Sequence, residues 1–383
     1  MAKNTEIEYL KHKIDILLNE KNDNIMEQNF FITGIQQIGV GTTNVYKSWK
    51  WYKEMFGTDI RILEDDTVAE RMLPYTGGQK QKRHAAIAIN LQGGGGFEIW
   101  QYSDRKPKPI DFDLQVGDLG IFAAKLKATD IQKAYQSISS KWNNVGPIVK
   151  DPLGKETFFL SDIEGNYFQV VQSDNVLIDR GTPFGGMVGG MIGVTDMEKS
   201  IKLYKDVLGY GTLLYDETGV FDDLRFMRGG DQKYRRVLLE WNQPKRGAFS
   251  PLMEGGRIEL LQALERTPRK LFEGRFWGDP GFIQICFDVT NMDLLGKYCA
   301  ENGYAFTVDS CPDGKVFNMG DASGRFTYIE DPDGTLIEFV ETYRVAVAKR
   351  FNWYINLLKR DREKPLPKIL FRAMKFNKVK FED

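Results

Sequence analysis

Histidine is nearly missing from this chain of 383 residues, with only His12 and His84 present. A site that needs several imidazoles in one place therefore cannot be assembled within one copy. Cysteine is scarce too: Cys286, Cys299 and Cys311 lack paired spacing, which excludes a disulfide scaffold or a thiolate zinc site and suits a reducing, cytoplasmic compartment. Charge of one sign is absent. Lys plus Arg is 52 and Asp plus Glu is 53, so no chain-wide field exists to hold nucleic acid. No apolar run approaches the roughly 18–20 residues of a spanning helix. The opening MAKNTEIEYLKHKIDILLNE is too polar and acidic for a secretory or transit leader.

What is present is repetition, in a chain 42% hydrophobic and long enough for two or three units. VGDLGIFAAKLKATDI (116–131) aligns with WGDPGFIQICFDVTNM (277–292), SDIEGNYFQVVQS (161–173) with EDPDGTLIEFVET (330–342), and VYKSWKWYKEMFGTDI (45–60) with MEKSIKLYKDVLGYGT (197–212). Three matches in one order mark a duplication, with halves at 31–175 and 184–343 joined by the turn-rich SDNVLIDRGTPFGG. Each half is itself double. A strand, a turn and an amphipathic helix lead into short strands; the first helix carries Val45, Trp49, Tyr52 and Phe56 on one stripe and ends at Gly57. One helix per three or four strands is too few for a doubly wound sheet, so the fold class is α+β, built from four βαβββ modules.

Ile-Gly-Val at a first strand and Asp-Pro-Asp-Gly-Thr-Leu-Ile-Glu-Phe (331–339) at a last one, on a four-module plan, resemble the vicinal oxygen chelate superfamily of glyoxalase I, bleomycin resistance proteins and extradiol dioxygenases. The resemblance spans about 31–343 and implies modules paired into two cup-shaped mixed sheets with ligands on the concave faces. Strand parity then sorts the side chains. Ile258, Leu260, Ile337 and Phe339 belong to the helix-facing set, leaving Glu259 and Glu338 in a cup with Gln284. The eight positions that match family metal ligands read Gln37, Glu98, Ala123 and Gln169 in the first domain, and Gly189, Glu259, Gln284 and Glu338 in the second.

By this reading Glu259, Gln284 and Glu338 hold a divalent ion (Mn²⁺, Mg²⁺, Ni²⁺ or Fe²⁺) in the second domain, with Glu338 and Glu259 as catalytic carboxylates. The resemblance implies isomerase, epimerase or lyase chemistry on a small oxygenated substrate. A metal-free binder of the bleomycin-resistance type is the alternative, with Trp100, Tyr167, Tyr328 and Trp277 lining or bordering the cup. Ring cleavage ranks third, because it needs two histidines and a carboxylate on one iron. Gln37, Glu98, Gln169 and His84 form a ligand pocket in the first domain, with His84 at its rim. Cys286 is read as an inert strand cysteine, and Gly93–Gly96 as a turn rather than a phosphate loop.

The ends differ from the body. Residues 344–383 hold twelve Lys/Arg against four Asp/Glu, with an apolar stripe of Val347, Phe351, Tyr354, Ile355 and Leu358. This basic amphipathic tail either lies on anionic lipid or, the preferred reading, docks on the acidic body of its own or a partner chain, as in a homodimer. Residues 1–30 form a helical extension with Ile7, Leu10, Ile14 and Leu17 at 3-4-3 spacing, and Met26 is an alternative start.

Overall fold

The computed structural model describes residues 30–312, 314, 316–318, 322–348 and 352–381. His12, the N-terminal stripe and Phe351 lie outside the described residues. The α+β expectation holds: short helices lie against two large mixed sheets, and the same unit is built four times. Modules I to IV occupy about 31–102, 120–172, 184–263 and 281–348.

A shared device starts the helices. Asn44, Asp130 and Asp196, each extended in backbone, accept the amide N–H of Lys47, Lys133 and Lys199 at 2.9, 3.0 and 3.1 Å. In module IV, Glu341 accepts from the Asn291 and Met292 amides instead. The Val45–Phe56 helix ends at Gly57, whose φ of 70° admits the left-handed turn. Its stripe of Val45, Trp49, Tyr52 and Phe56 is fully buried. The repeated Asp-x-x-Gly turns are also explained. Asp162 and Asp331 each take two backbone N–H groups of their own turn and a tyrosine hydroxyl from the preceding module, Tyr52 at 2.6 Å and Tyr204 at 3.2 Å.

Modules I and II, and III and IV, thus meet through helices and turns, and the strands pair differently from the two sequential domains expected. One sheet runs Val308–Asp309, Ala322–Glu330, Leu336–Ala348, Gly281–Thr290, Phe31–Gly41, Gly96–Tyr102, Lys82–Ile89, Ile60–Val68, so module I joins module IV. The other runs Thr212–Gly219, Tyr234–Glu240, Arg257–Ala263, Phe184–Gly193, Gly120–Ala128, Tyr167–Gln172, Glu156–Ser161, Val149–Lys150, joining II to III. The short link at 173–183 returns the chain directly beside module II, where Gly120–Ala128 and Phe184–Gly193 pair antiparallel. Module IV is left to close on module I, through Phe31–Gly41 and Gly281–Thr290.

The basic C-terminal segment is an arm on the protein's own body. Leu336–Ala348 pairs with Trp353–Asn356, so Val347, Tyr354 and Ile355 of the apolar stripe lie in strands rather than a helix. Val347 and Ile355 are buried, while Leu358 is exposed. The arm then crosses module III and reaches module I. Leu366 donates its amide to Ala248 O at 2.8 Å, and Lys378 pairs with Asp59 at 2.9 Å. Val345, Leu370, Phe371 and Met374 share an apolar core with Phe249, Leu252 and Met253. Among the described residues no helix is long and apolar enough to cross a membrane.

Candidate active site

The module pairing decides which predicted residues meet. In the I–IV cup, the four central strands bring Gln37, Glu98, Gln284 and Glu338 to one floor. Gln284 donates Nε2 to Glu98 Oε2 at 2.8 Å and reaches Glu338 Oε2 at 3.4 Å, so one amide nitrogen touches both carboxylates. Gln37 Nε2 donates to the same Glu98 oxygen at 3.1 Å. Trp277 Nε1 donates to Gln284 Oε1 at 3.0 Å and thereby turns its NH₂ toward the acids. The approach requires a glycine: a Cβ on Gly39 would stand 2.5 Å from the Gln284 amide.

At the floor Gln37, Gln284 and Glu338 are buried while Glu98 is partly exposed to the cavity, and the electrostatics follow from that. Burial first, and the neighbouring Glu98 second, push the Glu338 carboxyl up to about 8. Burial also raises Glu98, offset by Arg83 and by the amides of Gln284 and Gln37. Two adjacent carboxylates that share a donor, one of them buried, cannot both ionise freely; one holds a proton unless a cation lies between them. Burial and Glu338 push the Cys286 thiol up, which disfavours its thiolate. Above the floor opens a cavity of about 440 Å³ whose lining includes Gln37, Glu98, Glu338, Trp277 and Tyr328. Trp100 packs behind Trp277, with ring centroids 4.6 Å apart.

Glu259 is not part of this centre, which corrects the expected triad of Glu259, Gln284 and Glu338. It lies in the II–III cup with Gln169, and that cup is filled by its own side chains. Lys125 Nζ donates to Glu259 Oε2 at 2.6 Å and to Gln169. Arg236 binds the other Glu259 oxygen and grips Asp223 with two bonds of 2.8 Å, while the Tyr215 hydroxyl adds a contact of 2.6 Å. Lys125, Arg236 and Glu259 are 3%, 0% and 1% exposed. Burial would raise the Glu259 carboxyl, but Arg236 and Lys125 outweigh it and hold the group at about 2. An ammonium group thus occupies the place between Glu259 and Gln169. Ala123 and Gly189 add no donor, the latter because a Cβ there would strike Arg257 O at 1.8 Å.

His84 is also displaced from its expected rim. On its strand Arg83, Ile87 and Ile89 line the cavity, whereas His84 shares the opposite face with Ala86 and Ala88. There it meets Asp66 at 2.9 Å and lies against the tilted ring of Tyr46, with centroids 5.1 Å apart. Gly93 and Gly94 form a bend leading into the Gly96–Tyr102 strand, and the Gly93 and Gly95 backbone bonds that of Gly186 and Met187.

Sequence reasoning missed Lys125, Arg236 and the pairing of Glu98 with Glu338. The signal for Lys125 was available: GIFAAKLKA places two lysines on the cup parity of an otherwise apolar strand. The lining contributed by Phe249, Leu252, Met253 and Met374 comes from distant segments and carries no periodic signature.

Comparison with known proteins agrees with this architecture. The family model for the Glyoxalase/Bleomycin resistance protein/Dioxygenase superfamily matches residues 187–339, the third and fourth modules. A glyoxalase I variant from Zea mays shares the fold at 15% identity and a TM-score of 0.50, over 82% of this chain and 94% of that one. A putative dioxygenase from Bacillus subtilis aligns at 14% identity over 81% and 85%, with a TM-score of 0.49. No curated protein sequence matches the chain. The family model thus covers the third and fourth modules, and the same structural unit is built four times into two cups, the fold shared with the glyoxalase I structure.

Proposed function

We propose that the protein is a divalent-metal-assisted isomerase, epimerase or lyase acting on a small oxygenated molecule in the I–IV cup. The observation that carries this reading is the carboxylate pair Glu98 and Glu338, bridged by one amide at the floor of a ligand-sized cavity. Among the described residues no cluster of three or more His, Cys, Asp or Glu side chains is placed for a metal. The donor set still fits a hard ion. Gln37 Oε1 is buried without a hydrogen-bond partner, a spare oxygen beside two acids whose mutual repulsion a cation would relieve. Glu98, Glu338 and Gln37 would hold Mn²⁺, Mg²⁺, Ni²⁺ or Fe²⁺, while Gln284, with its nitrogen toward the acids, positions them. Such an ion supplies Lewis acidity toward a substrate's neighbouring oxygens.

The chain's own groups divide the remaining work. Glu338, whose carboxylate lines the cavity beside Glu98, is the proton carrier. Glu98 accepts two amide N–H bonds and is the better placed of the pair to keep the negative charge. Trp277 and Tyr328 shield the floor from water.

The test is deuterium incorporation from D₂O next to the carbonyl of 2-hydroxyketones, with divalent ion supplied. Glu338→Gln is expected to slow exchange by about 100-fold or more, and Gln169→Ala, in the filled cup, to leave it intact. Equal exchange in wild type and Glu338→Gln refutes the reading. A second reading, a metal-free binder, is favoured by one observation: Gln284 already satisfies both acids as a donor. Ligands recovered chemically unaltered, with no exchange, would select it.

A further inference from the structure

The cavity of the I–IV cup is chemically two-ended, and its ends differ in origin. The floor is polar and made by the central strands. The far wall is apolar and made by segments remote in sequence: Phe249, Leu252 and Met253 from module III, and Met374 from the C-terminal arm. All four are at most 6% exposed, and Ile62, Ile89 and Val345 line the same space. Resting on the function proposed above, we infer that the molecule bound is an uncharged amphiphile, with paired oxygens at the floor and an aryl or alkyl tail against the module III and arm residues.

Charge excludes the alternatives. Two arginines line the cavity. Arg83 is committed to Asp65 at 2.5 Å, and Arg71 is exposed to solvent. Among the lining residues there is no further side-chain cation to receive a carboxylate or phosphate on the tail. An anionic tail would lose its water against Phe249, Leu252 and Met374 without any partner. The wall is also fixed in place, because Gly247 N–H bonds Glu363 O at 2.9 Å, Leu366 N–H bonds Ala248 O at 2.8 Å, and Lys378 ties the arm to Asp59. The tail therefore meets a defined end, and Met374 and Leu252 set its length.

The test uses the full-length protein and isothermal titration calorimetry. The probes are 2-hydroxyacetophenones carrying a 4-alkyl group of one to six carbons, with 4-carboxyalkyl and 4-aminoalkyl counterparts of equal length. Affinity is expected to rise by up to about fourfold per added methylene, the transfer increment of a buried CH₂, and then to stop at the wall. Either charged terminus is expected to weaken binding tenfold or more. Met374→Trp is expected to flatten the gradient at a shorter tail. Leu252→Trp approaches the same space from module III and gives the same result should the first variant not fold. Affinity independent of tail length, or tighter binding of either charged series, overturns the inference. The outcome separates from that of the catalytic reading. Binding with the expected gradient but no deuterium exchange refutes catalysis and keeps the amphiphile, whereas exchange without a gradient does the reverse.

Discussion

Replacing Glu259 by glutamine should destabilise the protein strongly while sparing the I–IV cup. The carboxylate is 1% exposed and answers Lys125 at 2.6 Å, Tyr215 at 2.6 Å and Arg236. Its depression from an ordinary 4.5 to about 2 corresponds to roughly 3 kcal/mol of preference for the charged form, at ~1.4 kcal/mol per pKa unit. Glutamine keeps the shape and removes the charge. Arg236 then retains Asp223, but Lys125 is left buried with only amide partners, and breaking such a pair costs about 3–5 kcal/mol. Urea unfolding at pH 7, followed by tryptophan fluorescence, should therefore show a loss of about 3 kcal/mol or more. The sign with pH follows from the depressed pKa. The Glu259 contribution is fully present above about 4.5 and is lost as pH falls toward 2, so wild type and variant should converge in acid. Lys125→Met on the variant background removes the orphaned ammonium and should recover part of the loss. A change within about 0.5 kcal/mol at pH 7, the usual scatter of surface substitutions, would refute the view that this cup is held by its own ion cluster.

Other expectations follow from single contacts. Gly39→Ala places a methyl against the Gln284 amide and should lower turnover by releasing the bridge between Glu98 and Glu338, with little change in the unfolding midpoint; unaltered kinetics would count against the bridge. Asp288, pushed up to about 7 first by burial and also by Glu341, keeps in the folded state a proton that the unfolded chain loses near 4. Its cost is thus absent below pH 4, grows between 4 and 7, and is full above. Asp288→Asn should stabilise at pH 8, by about 4 kcal/mol at most, and do nothing at pH 3.5 in matched urea titrations. Because Val347, Ile355, Leu370 and Phe371 are buried, the full-length protein should not float with anionic liposomes. Flotation lost on truncation after Thr342 would contradict the docked arm.

Much of the fold was legible because its signals are local. The Gly57 stop and the alternation of Ile258, Leu260, Ile337 and Phe339 are each set by neighbours within a few residues. Parity also placed Glu98, Glu338 and Gln284 correctly on concave faces. What parity could not give is which modules share a cup, since that rests on the antiparallel pairing of Phe31–Gly41 with Gly281–Thr290 across some 250 residues of chain. Glu259 was therefore grouped with Glu338 although an ammonium already answers it elsewhere. His84 was misplaced for a nearer reason: Ala86 and Ala88 are small enough to suit either face, so the parity of that strand was decided by Ile87 and Ile89, which line the cavity.

The central claim is that one cup works and the other is filled. Elemental analysis of protein purified without chelator tests it most directly. The account expects one divalent ion per chain, lost in Glu98→Gln and Glu338→Gln and retained in Gln169→Ala. Two ions per chain, or an ion content indifferent to Glu98 and Glu338, would contradict it.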